Sequence, residues 1–524
     1  MRAFPPSAPL LVATAVAACA GAAPPAAAQD LELVPQTTRW RVSLEHGDPD
    51  GTDELGLLGL HYDVFDLLGR YPNAYLGLGA YAGVWGDRGG FLAAGVEGGY
   101  RWELDGGRAL EAALFFGGGG SEFGDDGTGL FLRPSVAYES PLTRAWNWRV
   151  ELAHTVVPGG DLGGPQLALG FSGTRNFLTT DWTVYDLDRL DADELRILPA
   201  RLEPSVIYFD PSSGTERRGR APRRFGMLAV RTHQALGRNV YLPIEFAAAA
   251  GGNAGGYRQV MFGIGEWGPR FTPHVWGVKE FLVGAGGGAG YDTGGGALAQ
   301  FNTGLEIPFR RDWSASLRAG YLFAIDGDFD GVTLQASASW SPTFYGTPRD
   351  FDTDRFYDVG LSEEDAVLDE YVVSVRYKSI SRGGTVFDDQ GEVLERDLQL
   401  IGLGLQRQLM DDVDLEVNTF TAFDSDASGY HELGLGLRYR IDVLRPWQTS
   451  GQFYLKYQLG AAGGGVDNRS GLFHEVGAGW RFTPANDLWV ALEFARTEAD
   501  RGSFDGDILG LQFEWGFGRP RVAR

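Results

Sequence analysis

Gly434-Leu435-Gly436-Leu437-Arg438-Tyr439-Arg440-Ile441-Asp442 places an apolar residue at every second position and a small or charged one between. The stretch reads as an outward-and-return hairpin, and its pattern recurs in variant form along the chain. Successive side chains of an extended backbone point to opposite faces, so such a segment has one oily face and one wet face. Thr38 to Glu45 separates in the same way, with Trp40, Val42 and Leu44 opposed to Arg39, Arg41, Ser43 and Glu45. Trp148, Val150 and Leu152 stand against Asn147, Arg149 and Glu151, and Val413 to Asn418 repeats the arrangement. Either a second sheet or lipid must cover the oily face. Sandwich strands are usually about five or six residues long, whereas many segments here approach the ten or so that a tilted strand needs to cross a bilayer. The predicted fold class is all-β, a transmembrane antiparallel up-and-down β-barrel with lipid on the oily side and lumen on the wet side.

The N-terminus supports passage across a first membrane. Arg2, the apolar stretch Leu10 to Ala18 and the small-residue exit Ala26-Ala27-Ala28 have the form of a secretory signal over residues 1–28, too short for a spanning helix. Val16-Ala17-Ala18-Cys19 also fits a lipidation box, which makes a lipidated Cys19 the alternative to cleavage after Ala28. Cleavage leaves a chain without cysteine, which excludes disulfides, thiolate metal sites and thiol nucleophiles together. No later run of about eighteen apolar residues exists to form a spanning helix. The net charge of -24 argues against a nucleic-acid partner, because binding phosphates demands clustered Lys and Arg. Acidic faces are ordinarily just solvated; the sharper reading is that acidic loops bind divalent ions at the cell surface.

Short connections punctuate the strands at Leu104 to Arg108, Pro141 to Ala145, Leu236 to Asn239, Phe309 to Trp313, Leu409 to Asp412 and Phe482 to Asp487. They suit the tight turns on the inner side of bacterial barrels. The Gly- and Asp-rich segments Gly47 to Glu54 and Arg382 to Glu395 are expected on the outer side. Aromatics gather near strand ends, at Tyr100 and Trp102, Trp480 and Phe482, and Trp515 and Phe517, where an amphipathic ring suits the headgroup level. Three stretches match in outline, beginning Ala74-Tyr75-Leu76, Glu280-Phe281-Leu282 and Phe453-Tyr454-Leu455, which suggests duplication of a barrel-like unit. The resulting division is a signal at 1–28, a first barrel block at 29–177, an acidic connector at 178–200, a second block at 201–345, a second acidic connector at 346–368, and a third block at 369–524. The connectors have room for short helices at Ala192 to Leu198 or Glu363 to Leu368, and an even strand count before each places them in the periplasm.

The count comes to about 24 strands, with 22 to 26 allowed, at roughly twenty residues per strand. Two architectures follow. One wide barrel would need a plug or would conduct large solutes, and is preferred because single barrels are the commoner form. Three tandem eight-stranded barrels would instead be filled by side chains. The candidate lumen-facing charges are Arg39, Arg41, Glu45, Arg149, Glu151, Arg438, Arg440, Glu475, Arg481, Glu493 and Glu514. In a wide pore they set a field that selects solutes; in a narrow barrel they pair and seal it.

Gly510-Leu511-Gln512-Phe513-Glu514-Trp515-Gly516-Phe517 resembles the closing strand of Gram-negative outer-membrane β-barrel proteins, with Gly510, Phe513, Trp515 and Phe517 as the candidate assembly signal. The tail Gly518 to Arg524 departs from that pattern, since such barrels usually end on the aromatic. The resemblance is porin-like or transporter-like without a specific family. It implies the cell outer membrane, with lipid, lipopolysaccharide and the barrel-assembly machinery as partners.

Chemistry is sparse. Gly284 to Gly290 lacks the Lys and Ser or Thr of a phosphate cradle, and reads as a strand that lets a neighbour or an inner plug approach closely. The seven histidines show no paired metal spacing. His154 with Glu151 and His474 with Glu475 are the weak candidates for a hydrolase pair. No catalytic residue, metal site or cofactor is assigned, and the expectation is that the protein is not an enzyme. The leading function is a channel or exporter for small solutes or a polymer. The alternative is a non-conducting anchor, adhesion or assembly scaffold of closed barrels, and an outer-membrane enzyme is the remote third.

Overall fold

The computed structural model describes residues 33–180, 196–199, 201–346 and 366–522, with short breaks between strands. The signal segment with Cys19, loop residues 48–54 and connector residues 181–195 and 347–365 lie outside the described residues. Barrel 1 comprises β1 (Leu33–Gly47), β2 (Leu55–Phe65), β3 (Ala74–Gly86), β4 (Leu92–Glu103), β5 (Ala109–Gly120), β6 (Leu130–Pro141), β7 (Asn147–Val156) and β8 (Gly163–Thr180). After a short strand β9 (Arg196–Pro199), barrel 2 comprises β10 (Arg201–Ser213), β11 (Phe225–Ala235), β12 (Val240–Gly251), β13 (Arg258–Thr272), β14 (Val275–Gly287), β15 (Ala297–Arg310), β16 (Trp313–Ala324) and β17 (Asp330–Trp340). A second short strand, β18 (Thr343–Gly346), precedes barrel 3: β19 (Ala366–Arg382), β20 (Leu398–Met410), β21 (Val413–Asp424), β22 (His431–Ile441), β23 (Gln452–Gly463), β24 (Leu472–Ala485), β25 (Leu488–Ala499) and β26 (Asp505–Val522).

Within each barrel every strand pairs antiparallel with the next, and the ring closes where β1 meets β8, β10 meets β17 and β19 meets β26. The single wide barrel preferred from the sequence is thus replaced by its alternative, three rings of eight strands. The cause is β8, which returns along the whole of β1 from Leu33↔Thr180 to Gly47↔Gln166 and leaves no edge to carry the ring onward. Two smaller expectations also change. Gly434 to Ile441 form one continuous strand, β22, flanked by β21 and β23, and not a hairpin; their alternation runs unbroken because no turn interrupts it. The helices allowed in the connectors give way to extended backbone wherever the structure describes them. Arg196 to Leu198 lie in β9, which pairs with β18, and Ala366 to Leu368 open β19.

All six short connections join consecutive strands at the end of the molecule where the barrels are linked, hereafter the connector end. At Leu104 to Arg108 the turn is possible because Gly106 and Gly107 take φ of 75° and 74°. The C-terminal residues continue the closing strand, with Val522 opposite Ala366 and Phe517 opposite Tyr371, so the tail through Val522 is ladder-paired.

The barrels are inside-out relative to a soluble protein. Leu152 is 60% exposed on β7, Leu317 64% on β16 and Phe494 66% on β25, while their sequence neighbours Glu151, Arg318 and Glu493 are buried in the lumen. Only lipid makes such an exterior stable, and the chain is a transmembrane β-barrel protein. Each lumen has two layers. Near the loop end lies an apolar cap, for example Leu57, Tyr81, Phe91, Phe115 and Phe131 in barrel 1, or Phe209, Phe225, Tyr257, Tyr291 and Phe329 in barrel 2. Toward the connector end the filling is ionic.

The structure also locates the internal repeat. Tyr75, Tyr241 and Tyr454 each lie over a glycine of the next strand, Gly99, Gly265 and Gly479, where any Cβ would collide with the ring. Their hydroxyls reach Glu111, Glu280 and Glu493. Val240-Tyr241-Leu242 shares this contact with Ala74-Tyr75-Leu76 on the third strand of its barrel, whereas Tyr454 makes it from β23, the fifth strand of barrel 3. Phe281, taken from the sequence, faces outward and is 39% exposed.

Candidate functional site: filled lumens and a three-barrel junction

Alternation on each strand delivers every second side chain to the lumen, where eight strands leave room for little but those side chains. In barrel 1, Arg39 pairs with Asp63 at 2.8 Å and with Glu111, and Arg41 reaches Asp63 at 2.8 Å and Glu97. Arg149 is shared among Glu111 at 2.7 Å, Glu139 at 3.0 Å and Glu151 at 2.7 Å. Arg133 joins Glu45 at 2.9 Å to Glu151. In barrel 2, Arg231 bridges Glu245 at 2.6 Å and Glu280 at 2.8 Å, while Arg201 bridges Glu203 at 2.9 Å and Glu306 at 2.7 Å. In barrel 3, Arg438 holds Glu416 at 3.0 Å and Glu514 at 2.8 Å, and Lys456 holds Glu475 at 2.8 Å and Glu493 at 2.9 Å. Glu97, Glu203, Glu245, Arg231, Arg438 and Glu475 are each 0% exposed, so a water-sized sphere reaches none of them. Isolated charges in this position would be prohibitive; mutual pairing makes them tolerable.

Of the charges singled out from the sequence, Arg39, Arg41, Glu45, Arg149 and Glu151 lie buried in barrel 1, and Arg438, Glu475, Arg481, Glu493 and Glu514 in barrel 3. Arg440 is half-buried toward the connector end, 3.5 Å from Asp414. With Arg481, Asp414, Gln406, Gln408, Val372 and Trp489 it lines a small recess at that end. The sequence reading missed Asp63, Glu97, Glu111, Arg133 and Glu139, and the whole barrel 2 network. Strand parity identifies them: Glu111 sits between Leu110 and Ala112, and Arg231 between Val230 and Thr232. The weak hydrolase pairs do not form. His154 is exposed and His474 half-buried on the outer faces, while Glu151 and Glu475 face the lumen. Of the candidate assembly signal, Phe513 is exposed and Trp515 half-buried on the outer face, Gly510 is buried, and the Phe517 side chain lies outside the described residues.

At the loop end the three barrels touch one another, and each pair of barrels meets at glycine. A Cβ on Gly118 of barrel 1 would collide with the Ala422 carbonyl of barrel 3, one on Gly90 would lie 2.9 Å from the Gly288 nitrogen of barrel 2, and one on Gly256 of barrel 2 would lie 3.1 Å from the Gly464 nitrogen of barrel 3. Backbone hydrogen bonding crosses the seams, with a β-bridge between Gly129 and Asp424 and the Gly255 N–H donating to the Arg469 carbonyl at 3.2 Å. Gly284 to Gly290 thus admit a close neighbour as expected, and that neighbour is barrel 1 meeting Gly287 and Gly288. At the connector end the Arg407 guanidinium of barrel 3 stacks 3.5 Å from the Trp340 ring centre of barrel 2.

No family model and no curated protein matches the chain. Among solved structures, similarity is found to proteins of Pseudomonas aeruginosa. The siderophore receptor PirA is 10% identical over 92% of this chain and 80% of its own, with a TM-score of 0.26. OccK5 (OpdH) is 9% identical over 94% and 99%, with a TM-score of 0.22. The outer membrane protein OpdK is 9% identical over 92% and 98%, with a TM-score of 0.23. At such TM-scores the likeness carries no weight for function, and the site's own geometry has to supply the reading.

Proposed function

We propose that the protein is a non-conducting scaffold of the Gram-negative outer membrane, in which three sealed barrels anchor a shared loop surface. The observation that carries this reading is the filling of all three lumens by fully buried ion pairs beneath an apolar cap. Passage of a solute would require several charge-assisted bonds to part together, and each broken pair leaves a buried charge without compensation. The same pairing disfavours the field-selective pore, which needs charges that face water. The connectors and the C-terminal end of β26 lie on the periplasmic side in this reading, the loops face outward, and the closing strand engages the barrel-assembly machinery during insertion.

Purified protein reconstituted in a planar lipid bilayer tests the proposal. Insertion without conductance steps is the expected result. Stable, reproducible steps from single insertions would restore the channel or exporter reading.

A further inference from the structure

Arg258 opens β13 on the outward parity of its strand, in line with Val260, Phe262 and Ile264, whereas Gln259 and Met261 turn into the lumen. A cation on the outer face of a membrane strand is unfavourable unless something other than lipid meets it. Here the guanidinium donates to the Gly120 carbonyl at 2.7 Å and the Gly90 carbonyl at 3.2 Å, both in barrel 1, and to the Gly429 carbonyl at 2.8 Å in barrel 3. A single side chain of barrel 2 therefore binds both neighbouring barrels. Gly90 and Gly429 take φ of 81° and 83°, a left-handed backbone that glycine adopts at no steric cost, and this lets both turns close in on the arginine. Val260, on the same outward face, is only 3% exposed, so the seam continues below the guanidinium.

We propose that Arg258 is the lock that fixes the three barrels as one body at the loop end. The planar guanidinium presents five donors in a fan and reaches acceptors on two sides at once; a lysine ammonium on a flexible stem does not reproduce that geometry. The lock holds whether or not the lumens conduct, so it stands apart from the scaffold reading.

The test uses a cysteine pair. Phe116 on barrel 1 and Phe423 on barrel 3 face each other with ring centres 6.1 Å apart, and the sequence after residue 28 has no cysteine to interfere. In the full chain carrying Phe116→Cys and Phe423→Cys, mild oxidation should form the cross-link readily. Adding Arg258→Ala should slow it by about tenfold or more, since three carbonyls lose their donor at once. Arg258→Lys should fall between. Resistance of the barrels to SDS at room temperature reports that folding is intact in each variant. An unchanged cross-linking rate in SDS-resistant Arg258→Ala protein overturns the proposal. Should that variant fail to insert, Arg258→Lys gives the same reading, and a rate equal to that of the arginine protein overturns it.

Discussion

Barrels 1 and 2 have the same number of strands and the same closure, yet they fill their lumens with different chemistry. Among the described residues, barrel 1 buries Arg39, Arg41, Arg101, Arg133 and Arg149 with Glu45, Asp63, Glu97, Glu111, Glu139 and Glu151. Among the described residues, the lumen of barrel 2 holds only Arg201, Arg231 and Arg318 with Glu203, Glu245, Glu280 and Glu306, and completes the filling with hydroxyls and amides. Ser314 bonds Ser339 at 2.6 Å, Gln335 donates to Ser205 at 2.9 Å, and Asn302 donates to Glu280 at 3.1 Å. A lumen built to select solutes would keep an excess of one sign exposed to water along its path. What the two lumens share is completeness of filling and near-neutrality, which points to sealing as the property both preserve.

If barrel 1 is held closed by its charges, removing one acid from the middle of the network should have the largest effect on the protein. Glu111 receives Arg39, Arg149 at 2.7 Å and the Tyr75 hydroxyl at 2.8 Å, and Leu in its place leaves two buried guanidinium groups short of a partner. Glu111→Leu should cost about 3–5 kcal/mol, read as a lower urea midpoint for unfolding from lipid vesicles. A loss below about 1 kcal/mol, the range of a solvated pair, would mean that water reaches the network and that the sealed-lumen reading fails.

Much of this organisation was legible in the sequence, because strand alternation is local and membrane length is a simple threshold. The strands around Arg39 and Arg149, the six turns and the closing strand all followed from parity and turn residues, whereas the stretch around Arg438 was read as a hairpin and is one strand. Ring closure was not legible. Whether β8 returns to β1 or passes on to a further strand depends on pairing between segments more than a hundred residues apart, and alternation is identical in both cases. Parity also misled near the loop end, where the lumen turns apolar. Leu55 and Leu57 face inward there, so reading every apolar residue as lipid-facing assigns them to the wrong side. The Tyr241 contact was missed for a similar reason, since Phe281 carries a comparable ring in the outward register. Arg258 was overlooked for the opposite reason. A charge on the oily parity breaks the pattern of β13 there, as Glu266 does further along the strand, and that break was the available signal.

The comparison between barrels also assumes that both have the same medium outside. Leu152 of barrel 1 and Leu317 of barrel 2 are among the most exposed apolar residues of their strands. Leu152→Arg and Leu317→Arg should each cost about 2–4 kcal/mol if those positions lie near mid-membrane, and nearly nothing if they face water. Equal losses in the two variants, measured in the same vesicles, place both barrels in lipid at matching depth. A loss in one alone would mean that only that barrel is immersed there.

The smallest effect is expected where barrel 2 substitutes hydroxyls for charges. Ser314 contributes one bond to Ser339 and one to Glu306 at 2.8 Å, but Glu306 keeps Arg201 at 2.7 Å when the hydroxyl is gone. Ser314→Ala should therefore cost only about 1 kcal/mol, the net worth of an ordinary buried hydrogen bond, in the same urea titration used for Glu111→Leu. The gap between the two variants is the informative quantity. Loss of an acid strands two cations, whereas loss of a hydroxyl strands none, so the ionic lumen should be brittle and the hydroxyl lumen forgiving. Were Ser314→Ala to destabilise as strongly as Glu111→Leu, shape and not charge compensation would be what holds the strands of barrel 2 around their filling, and the two lumens would be closed by different physics.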